Sequence, residues 1–245
     1  VNALTLTAAQ TAIEAVATVA FALSGLLEAA RRRLDAVGVC VVAGLAAFGG
    51  GTLRDVLLDR RPFFWVAHAT WLWGLLALCT VAMLFLRRRH FALTERAMQW
   101  PDALGLRLFS VSGTQVARAA GVPALVAVLM GVVAAVFGGV LRDIVCNQIP
   151  RAFADYRPYA VCAFVGGWVL VAAQSLGLDA AAALLVAAAV TTLLRVAAPA
   201  SGYRLPAWQV DEPGNKTGRR RACAFARAAW TRPRPDQVRR GRAET

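Results

Sequence analysis

Hydrophobic positions along this chain fall into long runs without a charged side chain, separated by short arginine-bearing stretches. Val66–Leu86 is 21 residues of this kind, enough to cross about 30 Å of hydrocarbon as a helix. Ala36–Leu53, Pro123–Leu141, Tyr159–Leu176 and Ala180–Leu194 read the same way. The pattern predicts seven spans, near 9–30, 36–57, 66–86, 102–120, 123–145, 158–176 and 180–197. The first carries Glu14 and Glu28, so it is not a plain lipid-facing rod. The fourth carries Asp102, Arg107 and Arg118, and it is predicted from a repeat rather than from apolarity.

Sliding the chain against itself by 88 residues lays Glu14–Pro62 on Asp102–Pro150 without a gap. Fourteen of these 49 positions are identical, against about five by chance in a chain this rich in Ala, Leu and Val. Ser24-Gly25 falls on Ser112-Gly113, Gly50-Gly51 on Gly138-Gly139, Leu53-Arg54-Asp55 on Leu141-Arg142-Asp143, and Glu14 on Asp102. Three spans per unit is an odd number, so the second unit enters from the opposite side as an inverted repeat. The fold class expected is all-α integral membrane: seven transmembrane helices, arranged as two inverted three-helix repeats plus a seventh helix. The units divide at 1–100, 101–178, 179–198 for the seventh span, and 199–245 for a tail.

Glycine inside a helix costs about 1 kcal/mol relative to alanine. Gly49, Gly50 and Gly51 in the second span, and Gly138 and Gly139 in the fifth, therefore predict breaks whose freed backbone faces a wet interior. Close helix packing is the competing reading. Each glycine group is followed within one turn by Arg-Asp, Arg54-Asp55 and Arg142-Asp143. A charge at membrane depth costs at least about 2.5–3.5 kcal/mol unless paired or wet. Crossed pairing, Arg54 with Asp143 and Arg142 with Asp55, would satisfy both; a static interfacial anchor is the alternative. Ser24 and Ser112 offer either oxygen ligands or back-bonds to their own helices. Glu14 and Asp102 are candidate pathway carboxylates. Arg107, whose repeat partner is Val19, either snorkels or lines the pathway.

Composition sharpens the class. Hydrophobic residues make up 58% of the chain, above the 45–50% or so of soluble domains. The formal net charge is +13. Arg31, Arg32 and Arg33 in loop 1–2, Arg87, Arg88, Arg89 and Arg96 in loop 3–4, and Arg151 and Arg157 in loop 5–6 outnumber Arg60, Arg61 and Arg118 on the other side. The positive-inside rule then puts those three loops and the C-terminus in the cytoplasm and the N-terminus outside. The first span has no basic segment before it and is read as retained. The tail holds eleven of the 27 Lys and Arg residues and reads as a disordered segment touching anionic lipid, with no nucleic-acid partner. The five cysteines lack metal-ligand spacing. No catalytic constellation accompanies His68 and His90, so no metal, cofactor or enzymatic role is expected.

The doubled Gly-Gly-x-Leu-Arg-Asp, with Ser-Gly in the helix before it, resembles the prokaryotic trimeric intracellular cation (TRIC) channels, whose sequence domain is also labelled a glycine-transporter domain. The resemblance covers about residues 10–197. It implies a homotrimer in the bacterial inner membrane, one pore per protomer, and permeation by K⁺ and Na⁺. It also implies kinks at Gly49–Gly51 and Gly138–Gly139, and places Ser24, Gly25, Ser112 and Gly113 on helices that surround the pore. Phe137 stands where a matching third glycine would be. The lipid-binding lysine motif of animal relatives has no match. The leading expectation is a passive monovalent cation channel; the alternative is a carrier for glycine or another small zwitterion.

Overall fold

The computed structural model describes residues 3–88, 95–154 and 159–200. Its elements are α1 (Ala3–Arg31), α2 (Ala36–Leu57), α3 (Phe64–Ala67), α4 (Thr70–Arg88), α5 (Glu95–Ala119), α6 (Ala124–Val145), α7 (Arg151–Ala154), α8 (Tyr159–Ser175) and α9 (Ala180–Ala200). The seven predicted spans correspond to α1, α2, α4, α5, α6, α8 and α9, and α3 and α7 are single turns between them. Among the described residues, Leu6–Arg31, Ala36–Leu57 and Ala124–Val145 are long and apolar enough to cross a membrane. Thr70–Leu84, Ala160–Ser175 and Ala180–Leu194 are shorter apolar helices. The tail from 201 onward, and the loop arginines Arg89 and Arg157, lie outside the described residues.

Four helices form the centre. α1 packs on α2 and α5, and α6 packs on the same two helices. α4 lies against α2, while α8 and α9 pack together, α8 on α5 and α6 and α9 on α5 and α1. Phe21 and Phe109 stack between α1 and α5 with centroids 5.6 Å apart. The apolar core around α2 and α4 includes Val39, Val42, Ala43, Leu75 and Cys79.

The expected breaks at the glycines do not occur. α2 is helical at every residue through Gly49, Gly50 and Gly51, and α6 through Gly138 and Gly139. The glycines serve close approach instead. A methyl group at Gly50 would overlap the carbonyl oxygen of Ala134, and one at Gly138 would overlap that of Ala46. Ala46-x-x-x-Gly50 and Ala134-x-x-x-Gly138 thus form a reciprocal small-residue crossing of α2 and α6. Gly25 and Gly113 do the same one helix away. A Cβ on Gly25 would lie 2.9 Å from the Ala43 Cα, and one on Gly113 3.0 Å from the Gly131 Cα. The packing reading wins because each backbone polar group keeps its helical partner, which apolar surroundings demand.

Both charged helices end alike. Asp59 and Asn147, 88 residues apart, take positive φ of 50° and 54°, a conformation that Asp and Asn tolerate better than most residues. The Arg60 amide then donates to the Asp55 carbonyl and the Gln148 amide to the Asp143 carbonyl, both at 2.8 Å. These terminations place Arg54-Asp55 and Arg142-Asp143 on the last turns of α2 and α6.

Candidate functional site

Two buried charge clusters grow from these turns. In the first, Arg54 donates to its own neighbour Asp55, at 2.9 Å from Nε and 2.8 Å from Nη2. Its Nη1 reaches Glu14 on α1 at 3.2 Å. Ser112 on α5 donates to the same Glu14 oxygen at 2.7 Å. The second cluster repeats the plan. Arg142 Nε donates to Asp143 at 2.8 Å, and Nη1 contacts Asp102 on α5 and the Ser24 hydroxyl on α1. Arg54, Asp55, Arg142, Asp143, Asp102 and Ser24 are all nearly or fully buried. Glu14 keeps 17% of its side-chain surface exposed.

Crossed Arg–Asp pairing is therefore not what the structure contains. Each arginine pairs with the aspartate that follows it and with the carboxylate of its own unit. Each aspartate has a second duty at the helix end: Asp55 Oδ2 accepts the Phe64 amide at 3.5 Å, and Asp143 Oδ2 accepts the Arg151 amide at 2.9 Å. That duty holds the aspartates beside their own arginines. What crosses between units is the serine. Ser112 of the second unit serves Glu14 of the first, and Ser24 of the first serves Asp102 and Arg142 of the second. Ser24 and Ser112 thus hydrogen-bond within the clusters, not back to their own helices. Gly25 and Gly113, next to them, let α1 close on α2 and α5 on α6.

Arg107 is buried at the base of an apolar groove lined by Val16, Val19, Leu23, Trp100 and Leu104 between α1 and α5. A third charged group, noted in the sequence as a carboxylate of the first span, was assigned no role there. Glu28, fully buried on α1, accepts from Arg32 at 3.2 Å, from Gln148 at 2.7 Å and from Arg151 at 2.9 Å. It ties the end of α1 to the turn after α6. Its repeat partner is Val116, so the alignment that exposed the other clusters hid this one. A carboxylate inside an apolar span was the available signal. Beside it, the Cys146 thiol is pushed up from its ordinary range, first by burial and then by the Glu28 charge.

The glycine transporter family model matches the chain twice, over residues 11–87 and 99–175. The solved TRIC trimeric intracellular cation channel orthologue from Rhodobacter sphaeroides superposes with a TM-score of 0.73 at 30% identity, covering 79% of this chain and 98% of that one. This chain belongs to the TRIC family. A second TRIC cation channel structure matches at TM-score 0.73 and 28% identity, over 82% of this chain and 98% of that one. Among relatives, the UPF0126 inner membrane protein YadS of Escherichia coli K12 is 35% identical over 205 residues, 82% of this chain and 97% of its own. A UPF0126 membrane protein of Vibrio cholerae is 34% identical over 204 residues, 82% of this chain and 83% of its own. The TRIC protein described here is accordingly a membrane protein, and its two family matches start 88 residues apart, the same offset as its two charge clusters.

Proposed function

We propose that this TRIC protein is a passive channel for monovalent cations, K⁺ and Na⁺, in the bacterial inner membrane. The observation that carries the reading is the charge balance of the first cluster. Glu14 and Asp55 share one guanidinium, Arg54, and Asp102 and Asp143 share one, Arg142. The first cluster is formally one negative charge in excess. Arg60 comes within 3.9 Å of Asp55, but half of its side chain is exposed, where water screens it. A negative excess in low-dielectric surroundings attracts cations and repels anions. The solved relatives are named as cation channels, not as enzymes, which agrees.

In this reading α1, α2, α5 and α6 wall one passage per protomer, and the protein works as a homotrimer; the name of the Rhodobacter relative calls that protein trimeric. Seven helices cross the bilayer as two inverted three-helix units, 1–100 and 101–178, with α9 added and the N-terminus outside. Opening requires α2 and α6 to part at the Gly50–Gly138 crossing. The test is the full chain in a planar bilayer under a KCl gradient. Discrete current steps with a reversal potential near that of K⁺ support the proposal; anion selectivity or no current overturns it. The family model's own description, glycine transporter, favours a second reading. Paired guanidinium and carboxylate groups also complement a zwitterion. Saturable glycine uptake into proteoliposomes without current steps would select that reading.

A further inference from the structure

Thr18 has a buried hydroxyl, 5% exposed, whose oxygen has no hydrogen-bond partner in the structure. Buried hydroxyls normally find one, and a helical threonine can turn back to the carbonyl four residues earlier. Thr80, Thr114, Thr191 and Thr192 all do so here. Thr18 is the exception, and its position gives the exception meaning. Glu14, Thr18 and Gly25 share one stripe of α1. Both ends of that stripe meet α2: Glu14 holds Arg54, and Gly25 lies against Val42, Ala43 and Ala46. The antiparallel neighbour places Thr18 opposite the intervening part of α2, which contains Gly49, Gly50 and Gly51. Along the helix axis Thr18 stands ~6 Å from Glu14 and ~9 Å from the level of Ser24. Those two residues belong to the two different charge clusters.

We infer that the Thr18 hydroxyl oxygen is a station for the permeating monovalent cation, one turn from Glu14 of the negative first cluster. The inference rests on the channel reading above and assigns a site within it. A hydroxyl oxygen with free lone pairs is a hard ligand suited to an alkali cation. The excess negative charge around Glu14 favours a cation there over an anion. The site has no twin, because the repeat partner of Thr18 is Leu106, fully buried and apolar. The passage is therefore asymmetric, with its oxygen step in the first unit alone.

The test compares wild type with Thr18→Val, which keeps the shape and removes the oxygen, and Thr18→Ser, which keeps the oxygen. The probe is KCl, and the readout is unitary conductance against concentration for the full chain in planar bilayers. Thr18→Val is expected to raise the half-saturating KCl concentration by about three- to tenfold, and Thr18→Ser to stay near wild type. If Thr18→Val fails to assemble, Thr18→Ala is read in its place. Identical saturation curves for wild type and the valine or alanine variant overturn the inference while leaving the channel intact. Absence of cation current in the wild type overturns the channel reading, and this site with it.

Discussion

At the scale of single residues, the clusters respond to which partner is removed. Replacing Arg142 by alanine takes from the buried Asp102 and Asp143 the guanidinium that both contact. A broken buried ion pair costs about 3–5 kcal/mol, so thermal unfolding in detergent should show a large loss for Arg142→Ala. Ser24→Ala removes a hydroxyl partner and leaves every charge paired, so its loss should be about 1 kcal/mol. Equal losses for the two would mean that the ion pairs are not what holds the cluster. Glu14→Gln is expected to lower cation preference, seen as a reversal potential moved toward zero under a KCl gradient. Cys146 offers an independent check on burial. Its thiol is pushed up and 6% exposed, so maleimide should label it far more slowly near neutral pH than an exposed cysteine. Labelling at the exposed rate would contradict the placement of Glu28 and Cys146 together.

At the scale of elements, α2 and α6 meet through their smallest residues, and the cost of a substitution follows the space available. Gly50→Ala must push a methyl against the Ala134 carbonyl, an overpacking that typically costs about 1–3 kcal/mol. Gly74→Ala on α4 meets nothing within 4 Å, and the gain in helix propensity makes it neutral or stabilising by up to about 1 kcal/mol. Thermal unfolding of the two variants checks this contrast, and the reverse order would refute the packing account. The same contacts mean that a large side chain at Gly50 or Gly138 disturbs assembly before it disturbs flux.

At the scale of the whole molecule, the two units share one plan but are not equivalent. The Glu28 link to Gln148 and Arg151 joins α1 to the turn after α6. The corresponding positions at the other end are Val116, Arg60 and Phe63, which supply no carboxylate. Glu28→Gln should therefore loosen one end of the molecule only. Hydrogen exchange is expected to rise in the turn 146–151 and to stay unchanged in the turn 58–63; equal changes at both ends would exclude a one-sided link.

The helical class, the positions of the long helices and the 88-residue offset were legible in the sequence, because apolar runs and repeated motifs are local signals that survive without coordinates. Arg54, Asp55, Arg142, Asp143, Glu14 and Asp102 were legible as candidates because charges in apolar spans stand out, and Ser24 and Ser112 because the repeat pairs them, but a shared buried cluster was not. Who pairs with whom was not legible. The aspartates are held beside their own arginines by amides of the following turns, and the serines cross between units. Both facts depend on how helix ends and neighbouring helices meet in space. Glycine in a run reads equally as a break or as a close contact; only the carbonyls of Ala46 and Ala134, brought against Gly138 and Gly50 by the helix crossing, decide for contact. Glu28 and Thr18 drew no role from the repeat because neither has a polar twin, and their positions gain meaning only from the neighbours that tertiary packing supplies.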